Sequence, residues 1–206
     1  MLGIPRGQDG ESWAPPDLNQ VVNASWHHDE IMSVDQLLDR FGRADAPGLV
    51  VLFKRLVQVR TLHPRSVFLL ARRQMGDLAC DCELPMTVEP VEVREIDPVE
   101  VEWLIGEDSS TDTFELVTEA RLGRAEPTAR AVRLAPEDNN WDKLQGFLLE
   151  GEVTRLTITV RGDWVLDEDK EALDGNNIWP GVPKRPSGNG APGNDWISVI
   201  HIHQED

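Results

Sequence analysis

Asp163, Asp167, Asp169, Glu171 and Asp174 fall within one short stretch that runs on into Gly175, Asn176 and Asn177. Calcium is bound by about six to eight oxygens, so carboxylates crowded onto one loop are the side chains such an ion needs. An EF-hand would require a glycine at its turn and a flanking helix on each side. Ala172 follows Glu171 and no helical pattern flanks the run, so that motif is excluded. The form left is a calcium site between loops, with Asp163, Asp167, Asp169 and Asp174 as candidate ligands; the competing reading is a solvated hairpin. Cys80-Asp81-Cys82 and His201-Ile202-His203 together hold the donor set of a Cys2His2 zinc site. Neither pair has the two- or three-residue spacer of structural zinc sites, so zinc is not expected. A disulfide across a single residue is too strained to form readily.

Nucleophilic and phosphate chemistry find little support. Ser187 stands in Pro-Ser-Gly-Asn-Gly, without the G-x-S-x-G elbow that exposes a hydrolase serine. His27-His28 could supply a base, but no partner is legible in the chain. There is no Walker loop and no G-x-G-x-x-G. The chain is therefore read as a non-enzyme. Seven tryptophans and no tyrosine point instead to binding. Large indoles serve as core or interface anchors and also stack on sugars. Trp103 and Trp164 read as core, since they lie among aliphatic strand neighbours. Trp179 in Asn-Ile-Trp-Pro-Gly, with Trp196, Ile197 and Val199 on the terminal strand, are the candidate partner contacts.

The elements that must position these residues are mostly strands. Val21–Trp26, Leu49–Val59 (interrupted at Lys54-Arg55), Ser66–Ala71, Val88–Ile96, Val99–Trp103, Thr113–Val117, Ala129–Leu134, Val153–Val160 and Trp196–Ile202 are short and rich in branched residues. Several alternate, as a strand with one face on a core and one in water must. Leu156, Ile158 and Val160 fall on one face of theirs and Thr157, Thr159 and Arg161 on the other, and Trp164–Leu166 is expected to extend it. Val34, Leu37, Leu38 and Phe41 are spaced as one helical stripe, opened by the capping box Ser33/Gln36 and stopped at Gly42, where a left-handed turn is expected. A further turn of helix fits Trp141–Leu149. Cys80 and Cys82 read as loop residues. Short strands with few helices predict an all-β, antiparallel sandwich or barrel of about eight strands with one short N-terminal helix at about 33–41. Residues 1–20 read as an irregular arm, 21–206 as a single sandwich domain, and 174–195 as a Pro/Gly-rich loop.

Composition narrows the function. Asp and Glu number 37 against 20 Lys and Arg, a formal charge of −17 over 206 residues. Nucleic acid and anionic membrane surfaces are recognised by basic footprints, so neither is an expected partner. No apolar run approaches the roughly 20 residues of a membrane span, and the opening residues lack the basic and apolar regions of a signal peptide. Two cysteines do not make a secreted disulfide framework. The expected setting is a reducing, bacterial-type cytoplasm, or an assembly built there.

The run Arg161-Gly162-Asp163-Trp164-Val165-Leu166-Asp167, then Leu173-Asp174-Gly175-Asn176 and Ser187-Gly188-Asn189-Gly190, is similar to the C-terminal region of uncharacterised bacterial proteins. Leu62-His63-Pro64-Arg65-Ser66-Val67-Phe68-Leu69 resembles a strand and its preceding turn in bacterial Ig-like modules of the S-layer type. The resemblance implies an Ig-like β-sandwich serving as a non-enzymatic spacer, adhesin or assembly component, some such modules being accessory parts of phage-tail-like machines, and it nominates no catalytic residue. The expected function is structural or partner-binding, with protein partners and no cofactor. A calcium- or carbohydrate-binding module is the alternative.

Overall fold

Apolar runs and alternating segments become strands in the computed structural model, which describes residues 18–42, 48–75, 78–91, 127–150, 152–175, 187–188 and 190–203. The strands are β1 (Val21–Ala24), β2 (Glu30–Ser33), β3 (Leu49–Gln58), β4 (Val67–Met75), β5 (Leu78–Leu84), β6 (Met86–Val91), β7 (Thr128–Pro136), β8 (Val153–Arg161) and β9 (Asp195–His203). Helix α1 (Val34–Phe41) follows β2, and α2 (Trp141–Glu150) joins β7 to β8. Four strands form one sheet in the order β1-β3-β7-β6, and five form the other in the order β2-β9-β8-β4-β5. The two sheets pack together, so the predicted all-β sandwich is the observed architecture. All pairings are antiparallel except β2 with β9, which run parallel.

The core lies where the inner faces meet. Leu49, Val51 and Phe53 of β3 and Leu134 of β7 face Leu69 of β4, Leu156 and Ile158 of β8 and Ile200 of β9, each 2% exposed or less. The predicted break at Lys54-Arg55 is a register shift of β3 against β7 between Leu52 and Val57. The four-stranded sheet is buried on its outer face too, by a second cluster of Val50, Leu52, Val91 and Ala131. That explains why β3 reads as a continuous apolar run while β8 alternates.

Helix α1 begins as predicted: Ser33 Oγ accepts from the Gln36 amide and Gln36 Oε1 accepts from the Ser33 amide. Its end differs. Gly42 has φ −99°, not a left-handed angle, and its value lies in close approach. A Cβ there would stand 2.8 Å from the Leu38 carbonyl oxygen and 3.2 Å from the Trp141 ring, through which α2 packs on α1. Helix α2 is a full ten residues rather than one further turn.

Three other expectations change. Cys80 and Cys82 lie in strand β5, paired with β4, not in a loop. Its sequence Leu-Ala-Cys-Asp-Cys-Glu-Leu carries only weak apolar alternation because it is an edge strand with one side in solvent. Trp164 does not extend β8. The chain turns at Gly162 instead, where the Trp164 amide donates back to the Arg161 carbonyl, and this leaves the indole 45% exposed beside His63 rather than in the core. The predicted strands Val99–Trp103 and Thr113–Val117, and Trp179, lie outside the described residues.

Candidate functional site

Successive strand residues point to opposite faces, so register decides which side chains share the outer face of the five-stranded sheet. Pairing aligns Phe68, Thr159 and Ile197 in one row across β4, β8 and β9. The next row is Glu83, Leu70, Thr157 and Val199. A third is Asp81, Arg72, Arg155, His201 and Ile31, spanning all five strands. With strands about 4.8 Å apart, this face is roughly 20 Å wide. Ile31 is 72% and Ile197 41% exposed, and Phe68, Leu70 and Val199 are half-buried. Thr159 is walled in to 5% between Phe68 and Ile197. The result is an apolar belt with β-branched and aromatic members, on the one sheet whose outer side is open.

Charged groups rim the belt. Arg72 donates to both carboxylate oxygens of Asp81, at 2.9 and 3.1 Å. That guanidinium, together with Arg155, holds the Asp81 carboxyl below its ordinary value. At the other side His28 and His201 flank one carboxylate, their Nε2 atoms 3.4 and 3.3 Å from Asp29 Oδ2 and Oδ1. The Val199 amide donates to His28 Nδ1, which leaves the neutral ring's proton on Nε2, toward Asp29. Asp29 adopts φ 60°, a left-handed angle that aspartate tolerates better than most residues. The partner of the His27-His28 pair was thus adjacent in sequence, but its second histidine lies 172 residues away.

The candidate partner contacts divide. Ile197 and Val199 stand on the open face. Trp196 points inward and packs against Trp26 with ring centroids 6.1 Å apart. Strand β9 is interior to its sheet, with the Trp26–Asp29 turn over its first half: the Asp29 amide donates to the Val199 carbonyl and Trp26 Nε1 to Ser198 Oγ. Its backbone is therefore not open to a partner strand, although its outward side chains are.

Of the four candidate calcium ligands, Asp167 and Asp174 hold backbone, and the four do not form one ligand set. Asp167 is fully buried, and its Oδ1 accepts from the Asp169 and Glu171 amides, each at 2.9 Å, closing the turn between them. Asp174, also fully buried, accepts from the Gly190 amide at 2.8 Å, and its carbonyl accepts from Ser187 Oγ at 2.6 Å. Ser187 in turn binds Val21 of β1, so this clamp ties the loops of one sheet to the edge of the other. Asp163 and Asp169 are exposed. Among the described residues no three carboxylate, imidazole or thiolate groups form a ligand set. The zinc donors are separated as well. Cys82 faces inward on β5, where burial pushes its thiol up, while His201 and His203 face outward on β9, three strands and about 14 Å away.

Removing the Asp167 side chain orphans two amides in a buried turn. Asp167→Ala is expected to lower stability by about 2–3 kcal/mol, and Asp167→Asn by clearly less, because its carbonyl oxygen keeps both acceptor bonds. Urea unfolding of the two variants checks this; equal losses would mean that the charge itself is what the turn requires.

Comparison with known protein families, with curated proteins and with solved structures yields no match.

Proposed function

We propose that the chain is a non-enzymatic, partner-binding protein, a structural component of a larger protein assembly, and that it docks through the outer face of its five-stranded sheet. One observation carries this reading: the outer face of the four-stranded sheet is buried over Val50, Leu52 and Ala131, whereas the other sheet leaves Ile31 and Ile197 in water on the face that also carries Phe68, Leu70 and Val199. An apolar patch with a polar rim, on an otherwise acidic surface, is the usual mark of a protein contact. The clamped acidic loops and the absence of a bracketed nucleophile are consistent with a binding role. Among the described residues no helix is long and apolar enough to cross a membrane.

The test compares tagged wild-type protein with Ile197→Glu and with Leu149→Glu, the latter on the exposed side of α2, each cross-linked in its source cells and quantified by mass spectrometry. Ile197→Glu is expected to reduce recovery of stoichiometric partners at least about tenfold, a typical loss for a central interface residue, with unchanged thermal melting. Leu149→Glu should recover them in full. Equal recovery in both variants would refute the assignment of the face.

A further inference from the structure

Where the chain crosses from β5 to β6, a cleft of about 330 Å³ opens at the end of the same outer face. Val67, Phe68, Leu84 and Met86 are among its lining residues, together with Glu83 and Glu137 from two different elements. We propose that this cleft receives an arginine side chain of the protein partner; the proposal rests on the partner-binding reading of the adjoining face.

Size comes first. The volume is at the bottom of the roughly 300–1,000 Å³ range of small-molecule sites, room for one long side chain rather than a cofactor. Chemistry comes second. Apolar lining residues suit an aliphatic stem, and two acidic lining residues suit a planar guanidinium with its forked donors. Among the described residues neither glutamate carboxylate has a hydrogen-bond or ion-pair partner, in contrast to Asp81 and Glu89, which pair with Arg72 and Arg133. The chain's own Arg161 guanidinium lies over the ring of the lining residue Phe68 and over that of Trp164, 4.9 and 5.2 Å from their centroids, and pairs with neither glutamate. Charge comes third. A chain carrying −17 attracts a basic partner surface, and this cleft offers unpaired negative charge beside the docking belt.

The probe is an acetylated, amidated Gly-Arg-Gly peptide titrated into the ¹⁵N-labelled full chain, with citrulline and lysine versions as controls. The arginine peptide is expected to shift the Phe68, Leu84 and Met86 amides with about millimolar affinity and to weaken as salt is added. The citrulline peptide, of the same shape without charge, should bind on the order of tenfold more weakly, as should the arginine peptide on the Glu83→Gln/Glu137→Gln double variant. Both substitutions are at exposed positions, and a circular dichroism melt verifies that the fold is kept. No shift at these amides, equal binding of citrulline, or tighter binding of lysine would each overturn the proposal. Failure of the peptide with Ile197→Glu still abolishing partner recovery removes the cleft and leaves the face. Binding of the peptide with Ile197→Glu silent supports the cleft and removes the face.

Discussion

Gly162→Ala is expected to lower the melting temperature by about 6–12 °C, which corresponds to about 3 kcal/mol in a chain of this length. The position is not one of conformational licence but of contact. A Cβ on Gly162 would press on the carbonyl oxygens of Asn194, Leu173 and Gly193, the last two at 2.6 and 2.9 Å. None of these can withdraw cheaply. The Gly162 amide donates to the Asn194 carbonyl at 2.9 Å, the Leu173 amide to the Gly162 carbonyl at 3.1 Å, and the Gly193 amide to the Leu173 carbonyl at 2.9 Å. Three loops thus meet backbone to backbone, and one added methyl must break a ring of hydrogen bonds. Gly146→Ala is the control. It lies within α2, where a Cβ would meet nothing within 4 Å, and helix propensity alone should raise stability by about 0.5–1 kcal/mol. Differential scanning calorimetry of both variants reads the opposite signs directly; a Gly162→Ala melt close to wild type would show that the loops shift together.

Trp26→Ala should cost about 3–5 kcal/mol, a large part of the 5–15 kcal/mol typical of a whole domain. The ring is 3% exposed, tilted at 59° against Trp196, and its Nε1 donates to the buried Ser198 Oγ at 2.9 Å. Trp26→Phe keeps an aromatic ring on Trp196 but removes that donor, and about 1–2 kcal/mol is expected for it. The effect reaches the docking face. Trp26 anchors the turn from which His28 accepts the Val199 amide and Asp29 donates to the Val199 carbonyl. Hydrogen exchange should therefore accelerate at Val199 and Asp29 in Trp26→Ala before it does in β8. Uniform acceleration throughout the sheet would mean that the turn is not a separate unit.

Local structure was legible to the extent that its causes are local. The capping box at Ser33 and Gln36 sits where its spacing says, because a side chain three residues on reaches the same amides in any helix of this kind. The faces of β8 were readable from Leu156, Ile158 and Val160, because successive strand residues point opposite ways whatever the sheet does. The misread elements are those whose sequence lacks a local signature. Strand β5 carries Asp81 and Glu83 on its solvent face and two cysteines on the other, and only pairing with β4 makes it a strand. Trp164 was placed in the core by its aliphatic neighbours, whereas the turn at Gly162, set by three distant carbonyls, puts it outside.

The candidate site divides along the same line. From the sequence, Trp196, Ile197 and Val199 were grouped as partner contacts, and the structure separates them, with Ile197 and Val199 on one face and Trp196 on the other. Whether that face meets a core or water depends on sheet order, and sheet order is made by non-local pairs. Asp167 and Asp174 show the same dependence. A cluster of carboxylates in sequence is equally compatible with a bound cation or with donors supplied by backbone, and folding brought amides to both. The sequence alone determined those strands that carry their own alternation, such as β8, and a charge that favours basic partners. Only the tertiary structure decided which sheet face stays open, that His28 and His201 share Asp29, and that two glutamates line one cleft, because each depends on residues the chain brings together from far apart.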